Sequence, residues 1–224
     1  MSSPNLEQIE FAENPDPRCP CVLLLDVSTS MQGASIAALN EGLRVFQRDV
    51  AGDPIASRRV EVAVVTFGTG SRVVQEFVTV DQFQAPELQA GGQTHTGAGI
   101  EAALNLLEQR KASFKNNGIA YYRPWIFLIT DGSPYGEPDS VVEAARHRLL
   151  DEIRANKTAF FAVGTETANF QRLETFTVPE RPPLKMSGIQ FVELFVWLSR
   201  SQQAVAKSQP GDQVPLPPAG WASV

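Results

Sequence analysis

Short apolar runs alternate with amphipathic stretches along most of this chain, and that alternation limits its fold more than any other feature. CPCVLLLDV, beginning at Cys19, is apolar throughout and reads as a strand buried on both faces. ASIAALNEGLRVFQRDV then sets Ile36, Leu39, Leu43, Phe46 and Val50 at helical spacing. RRVEVAVVTFG is β-branched and reads as a second strand, and SRVVQEFVTV, after the turn-like GTGS, as a third and antiparallel edge strand. A second helix is predicted from Ile100, Ala103, Leu104, Leu107 and Phe114, and a fourth strand from RPWIFLITDG. DSVVEAARHRLLDEIRAN, TAFFAVGT and ANFQRLETF follow as helix, strand and short helix, and PPLKMSG holds a last short strand. IQFVELFVWLSRSQQAVAKS closes the series as a helix with an apolar face through Phe191, Leu194, Phe195, Leu198 and Val205. The expected fold is α/β and doubly wound: a mostly parallel sheet of about six strands, one antiparallel edge strand, helices on both faces.

A chain of 224 residues, 43% hydrophobic and 20% charged, suits one large domain with a substantial core. That domain is expected over 19–207, after a polar, proline-punctuated arm (1–18) and before a proline-rich, non-helical tail (208–224) that Trp221 is placed to dock. A formal net charge of −6 argues against nucleic acid as a partner. Cys19 and Cys21 are too close along an extended chain for an easy mutual disulfide, and no second pair completes a zinc site. Reduced thiols are expected. No stretch resembles a signal peptide, and no apolar run approaches the roughly 20 residues of a membrane span, so the expectation is a cytoplasmic protein.

In open sheets of this kind, ligands bind beyond the carboxyl ends of the strands, where the strand order reverses. The loops after strands one and four hold the most suggestive residues: Asp26, Ser28 and Ser30 in one, Asp131 and Gly132 in the other. A third loop, AGGQTHTGAG, supplies Thr94 and Thr96 ahead of the second helix. Taken singly, the serines and threonines suit helix caps and TDG suits a turn. Taken together, in this order and at strand ends, they form an all-oxygen set fitting a hard cation, Mg²⁺ first and Mn²⁺ or Ca²⁺ next. Two close carboxylates repel and call for such a cation. Hydroxyls are neutral, so a cation held directly by one carboxylate keeps positive character and attracts an anionic oxygen, such as a partner's Asp or Glu.

DVSTS (26–30), GGQTHTG (91–97) and TDG (130–132) together resemble the metal-ion-dependent adhesion site of von Willebrand factor A domains. The resemblance spans about residues 20 to 207. It implies that Asp26, Ser28, Ser30, Thr94 and Asp131 hold the metal, the aspartates directly or through water. Thr29 stands where many members have glycine, outside the ligand positions. Gly92, His95, Ser133 and Tyr135 are expected on the rim facing a partner. Phrases such as GIAYYRPWIFLITDGSP and FVELFVWLSRSQQAVAKS further resemble bacterial TerY-type proteins, stand-alone cytoplasmic A domains associated with tellurium resistance and stress response. That resemblance implies a Ser/Thr kinase or a PP2C-type phosphatase as partner. DGSPYGEP departs from the family pattern, lacking the threonine-aspartate usual after DG-x-P.

His147 reads as a solvated helix residue and YYRPW as packing at the start of strand four. The leading function is a non-enzymatic, metal-dependent protein-binding module. Its alternatives are a phosphatase-like hydrolase with Asp26 as nucleophile and a scaffold whose metal only orders loops. Ser28 occupies the position where such a hydrolase carries a second carboxylate, and neither a P-loop nor a G-x-S-x-G elbow occurs.

Overall fold

The computed structural model describes residues 11–186, 190–219 and 222–223. One sheet runs through the molecule in the order β3-β2-β1-β4-β5-β6-β7. Its strands are β1 (Cys19–Asp26), β2 (Val60–Gly68), β3 (Gly70–Thr79), β4 (Trp125–Thr130), β5 (Ala159–Gly164), β6 (Leu184–Met186) and β7 (Ala222–Ser223). The helices are α1 (Ala34–Ala51), α2 (Ala56–Arg59), α3 (Thr96–Asn116), α4 (Asp139–Arg154), α5 (Phe170–Glu174) and α6 (Phe191–Ala206). The five inner strands β2, β1, β4, β5 and β6 are parallel, and β3 pairs antiparallel with β2 as expected. β7, a two-residue strand antiparallel to β6, was not expected in the tail, whose prolines mask so short a pairing.

Alternation along β1 shows why the strand is apolar at every position. Cys21, Leu23 and Leu25 join the core under α1 and α6, while Val22 and Leu24 join the core under α3 and α4. Both cysteines are buried and free. Burial pushes the Cys21 thiol up to about 12, which keeps it protonated and unreactive. His147 is exposed on α4, and Tyr122 and Trp125 pack at the start of β4.

The segment read as a loose lead-in is built into the domain from Phe11 onward. Arg18 is wholly buried and donates through Nε to Glu61 Oε1 at 2.9 Å and through its terminal nitrogens to the Asp16 and Asn14 carbonyls. Arg110 of α3 donates to both Glu61 oxygens at 2.7 Å, and its guanidinium lies 5.0 Å from the ring centroids of Phe11 and Phe114. One carboxylate thus joins the lead-in, β2 and α3.

At the other terminus the tail folds back onto α6. Trp197 Nε1 donates to the Pro217 carbonyl at 2.7 Å, and Leu216 packs on the core. Docking by Trp221 concerns a side chain outside the described residues.

Glu61→Gln removes the charge that two buried guanidiniums share, and should destabilise the fold by about 3–5 kcal/mol in urea unfolding. A loss below about 1 kcal/mol would show that the cluster is solvated.

Candidate metal centre

Parallel pairing of β1 with β4 sets Leu25 against Ile129, so Asp26 and Thr130 end the two strands side by side. This is the point where strand order reverses, since β1 continues to β2 on one side and β4 to β5 on the other. Asp26 is wholly buried and each of its carboxylate oxygens accepts a hydrogen bond. The Ser28 amide donates to Oδ1 at 2.8 Å and the Thr130 hydroxyl to Oδ2 at 2.5 Å. Burial raises the Asp26 pKa, the bonds from Ser28 and Thr130 act against that rise, and the nearby Asp131 charge adds to it.

The two serines face inward at one point. Their hydroxyl oxygens lie 2.9 Å apart, and Ser30 Oγ donates to Asp131 Oδ1 at 2.7 Å. Neither serine caps a helix through its side chain: α1 starts at Ala34 with Gly33 at its N-cap, and Ser28 precedes a short 3-10 turn (Thr29–Met31) without a side-chain capping bond. Thr94 is buried against the same loop, its Oγ1 3.9 Å from the point where a Cβ on Gly132 would stand. Its backbone pairs with Tyr135 in both directions, at 3.1 and 2.9 Å. Thr96 opens α3 and makes no side-chain cap either.

Asp26, Ser28, Ser30, Thr94 and Asp131 therefore meet across three loops, and the arrangement suits a small divalent cation. In an octahedral Mg²⁺ shell, metal–oxygen distances near 2.1 Å put adjacent ligand oxygens about 3 Å apart. The Ser28–Ser30 and Ser30–Asp131 contacts, at 2.9 and 2.7 Å, have that spacing. Only two carboxylates contribute. Among the described residues no three His, Cys, Asp or Glu side chains cluster as metal ligands, as a hydroxyl-rich site implies.

Four residues that hold the loops in place were not read as site residues. Thr130 orients Asp26, as above. Thr29 donates to the Gly92 carbonyl through both its amide (3.1 Å) and its hydroxyl (2.9 Å), tying the first metal loop to the second. Gln93 accepts from His95. Glu137 receives the Gly97 and Ala98 amides at 2.7 and 3.1 Å, and so caps α3 in place of a threonine. Its distance along the chain from α3 gave no signal of this, whereas Thr130 is legible as the last residue of the strand beside Asp26.

The expected rim divides. Tyr135 is 71% exposed and Gly92 is exposed at φ +87, a left-handed conformation that glycine takes freely. Ser133 is half-buried. His95 is braced within the chain: Nδ1 accepts from the Gly70 amide at 2.9 Å, so Nε2 carries the proton and donates to Gln93 Oε1 at 2.8 Å. A Cβ on Gly97 would come within 2.9 Å of Val142 Cα, so glycine there lets α3 pack closely against α4. Gly91 faces open space.

Comparison with known proteins agrees with this geometry. The family model described as von Willebrand factor type A domain matches residues 21–183. No curated protein matches the chain significantly. Among solved structures, a von Willebrand factor type A protein from Catenulispora acidiphila superimposes with a TM-score of 0.61 at 17% identity, over 84% of this chain and 43% of that one. Proximal thread matrix protein 1 from the mussel byssus, with a zinc-occupied MIDAS motif, gives 0.55 at 17%, over 82% and 48%. A D319A mutant of the PilB minor pilin from Streptococcus sanguinis gives 0.60 at 12%, over 85% and 63%. At these identities the likeness is one of fold, and this chain spans about half the length of the structures it matches.

Thr130→Val should lower divalent-metal affinity about 10–100-fold in calorimetric titration, because Asp26 loses the bond that orients it. The effect of pH follows from the raised Asp26 pKa. Folding without metal favours the protonated carboxyl, and metal favours the carboxylate. Metal-induced stabilisation should thus be largest near neutral pH and fade as pH falls through the elevated Asp26 value. Melting curves with and without Mg²⁺ at about pH 5 and pH 7.5 read this directly, and an equal shift at both would count against it.

Proposed function

Because the chain belongs to the von Willebrand factor type A domain family, we propose that it is a non-enzymatic module that captures a protein partner through a divalent cation held by Asp26, Ser28, Ser30, Thr94 and Asp131. The observation that carries this reading is the poverty of charge at a well-ordered oxygen site. Three loops bring together five oxygen-bearing side chains, and only two of them are acids. Bound directly by only one of the two aspartates, with the other acting through water, the cation would supply a Lewis-acidic position that is incompletely neutralised and open to one more anionic oxygen. The preferred ion is Mg²⁺, with Mn²⁺ or Ca²⁺ as substitutes, and the partner's contribution is an Asp or Glu carboxylate. Around the cation the chain supplies orientation. Asp26 is fixed by two hydrogen bonds, Ser30 bridges to Asp131, and Thr94 is clamped to Tyr135 through the backbone.

That clamp gives the exposed Tyr135 ring a defined place beside the site, where it is suited to contact the partner. Among the described residues Asp26 is bonded by the Ser28 amide and the Thr130 hydroxyl, with the Asp131 carboxylate nearby. No helix among the described residues is long and apolar enough to cross a membrane. The TerY-type resemblance favours a cytoplasmic setting with a kinase or PP2C-type phosphatase as partner and tellurite stress as context.

Affinity capture from a lysate with the wild-type chain, with EDTA, and with Asp26→Ala tests the module. Partners should be retained only by the metal-loaded wild type, and equal recovery in EDTA would sink metal-mediated capture. Tyr135→Ala should weaken binding of a recovered partner about tenfold while leaving metal affinity unchanged.

A further inference from the structure

At the opposite end of the sheet, where β4 and β5 begin, guanidiniums gather without a matching number of carboxylates. A cavity of about 270 Å³ is lined there by Arg123, Arg154, Asn156, Thr158, Glu180 and Arg181, among others. Trp125 and Ala159 are register partners, so Arg123 and Thr158 stand just ahead of two adjacent strands. Asn156, at φ 54, turns the chain between α4 and β5. Three arginines against one glutamate give this cavity a local charge of +2 in a chain whose formal charge is −6.

Few of these groups are satisfied within the chain. Arg123 donates to Asn156 Oδ1 at 3.0 Å, and Arg154 makes a long, exposed ion pair with Asp151 at 4.0 Å. The Arg181 guanidinium lies 4.7 Å from the Phe161 ring centroid, with no carboxylate in ion-pair range among the described residues. Burial first, and then the Arg123 charge, press the Arg181 pKa down. Thr158 is 1% exposed and its hydroxyl has no hydrogen-bond partner among the described residues. Buried hydroxyls are normally paired, so an orphan beside clustered guanidiniums points to a group that is not part of the chain.

The donors fit one chemistry. Guanidinium forks match phosphate oxygens in pairs, and a dianion balances a cluster of +2. A larger cavity of about 570 Å³ shares Arg123, Asn156 and Arg181 and is walled by Tyr122, Trp125 and Phe161, with the Asp212 carboxylate on its tail side. It offers room for an organic group next to the arginines.

We propose that this end of the domain is a second binding site, for a phosphate monoester whose phosphate sits between Arg123 and Arg181 and whose organic part lies against Tyr122, Trp125 and Phe161. The monoester comes either from a phosphorylated side chain of a protein or from a free phosphorylated small molecule. The full chain, kept in EDTA so that no metal competes for phosphate, is titrated calorimetrically with inorganic phosphate, phenyl phosphate, and a phosphotyrosine peptide beside its unphosphorylated twin. Phenyl phosphate should bind, and more tightly than inorganic phosphate. R181Q and the more exposed R123Q, each checked by its melting curve, should weaken binding at least about tenfold. Asp26→Ala should bind phenyl phosphate like the wild type, which separates this site from the metal centre. A phosphopeptide that outbinds phenyl phosphate, with a silent twin, supports the site and assigns the source to protein. Weaker phosphopeptide binding supports it and assigns the source to a small molecule. No binding of either simple phosphate, or unchanged affinity in both folded arginine variants, overturns the proposal.

Discussion

A carboxylate buried at the end of β1, with Asp131 just beyond the end of the neighbouring β4, is the constraint that the surrounding hydrogen bonds answer. Asp26 and Asp131 meet because β1 and β4 are neighbours in register, a consequence of the strand order. Burial makes the Asp26 charge costly, and its raised pKa expresses that cost, to which the Asp131 charge adds the smallest share. Hydrogen bonds from Ser28, Thr130 and Ser30 offset part of it and hold the oxygens where a cation can take over. The arrangement is preorganised around an opposing charge that the chain itself does not provide.

Rigidity of the site comes from residues that would touch no metal. Thr29 joins the first loop to the second through Gly92, His95 joins the second loop to the β2–β3 hairpin, and Glu137 joins the third loop to the start of α3. Each bond is local, yet together they tie the three loops into one frame. Thr29 thereby adds a tie between the metal loops. Tyr135, clamped through Thr94, extends the frame to the surface.

The sheet also separates charge between its two ends. Aspartates cluster where β1 and β4 finish, and arginines where β4 and β5 start. Between them lie the apolar strands β1, β4 and β5. The buried Arg18–Glu61–Arg110 cluster is of another kind: two guanidiniums share one carboxylate, which fastens the lead-in to β2 and α3.

Local pattern determined much of this protein. Apolar runs fixed the inner strands, helical spacing fixed α1, α3, α4 and α6, and the three loop motifs marked Asp26, Ser28, Ser30, Thr94 and Asp131, because periodicity and strand ends are properties of neighbouring residues. Contacts across long separations were not legible. Glu61 sits inside an apolar strand, and only the fold brings Arg18 and Arg110 to it. His95 was assigned to the rim by its place beside Thr94, and the hairpin it braces became visible only in three dimensions. Arg123, Arg154 and Arg181 are dispersed along the chain, and only the folded arrangement of β4, α4 and the segment before β6 gathers them round one cavity. The sequence by itself determined which side chains the strand ends present. Tertiary structure decided which of them meet, because a hydrogen bond or an ion pair depends on distance in space and the chain order carries no record of it.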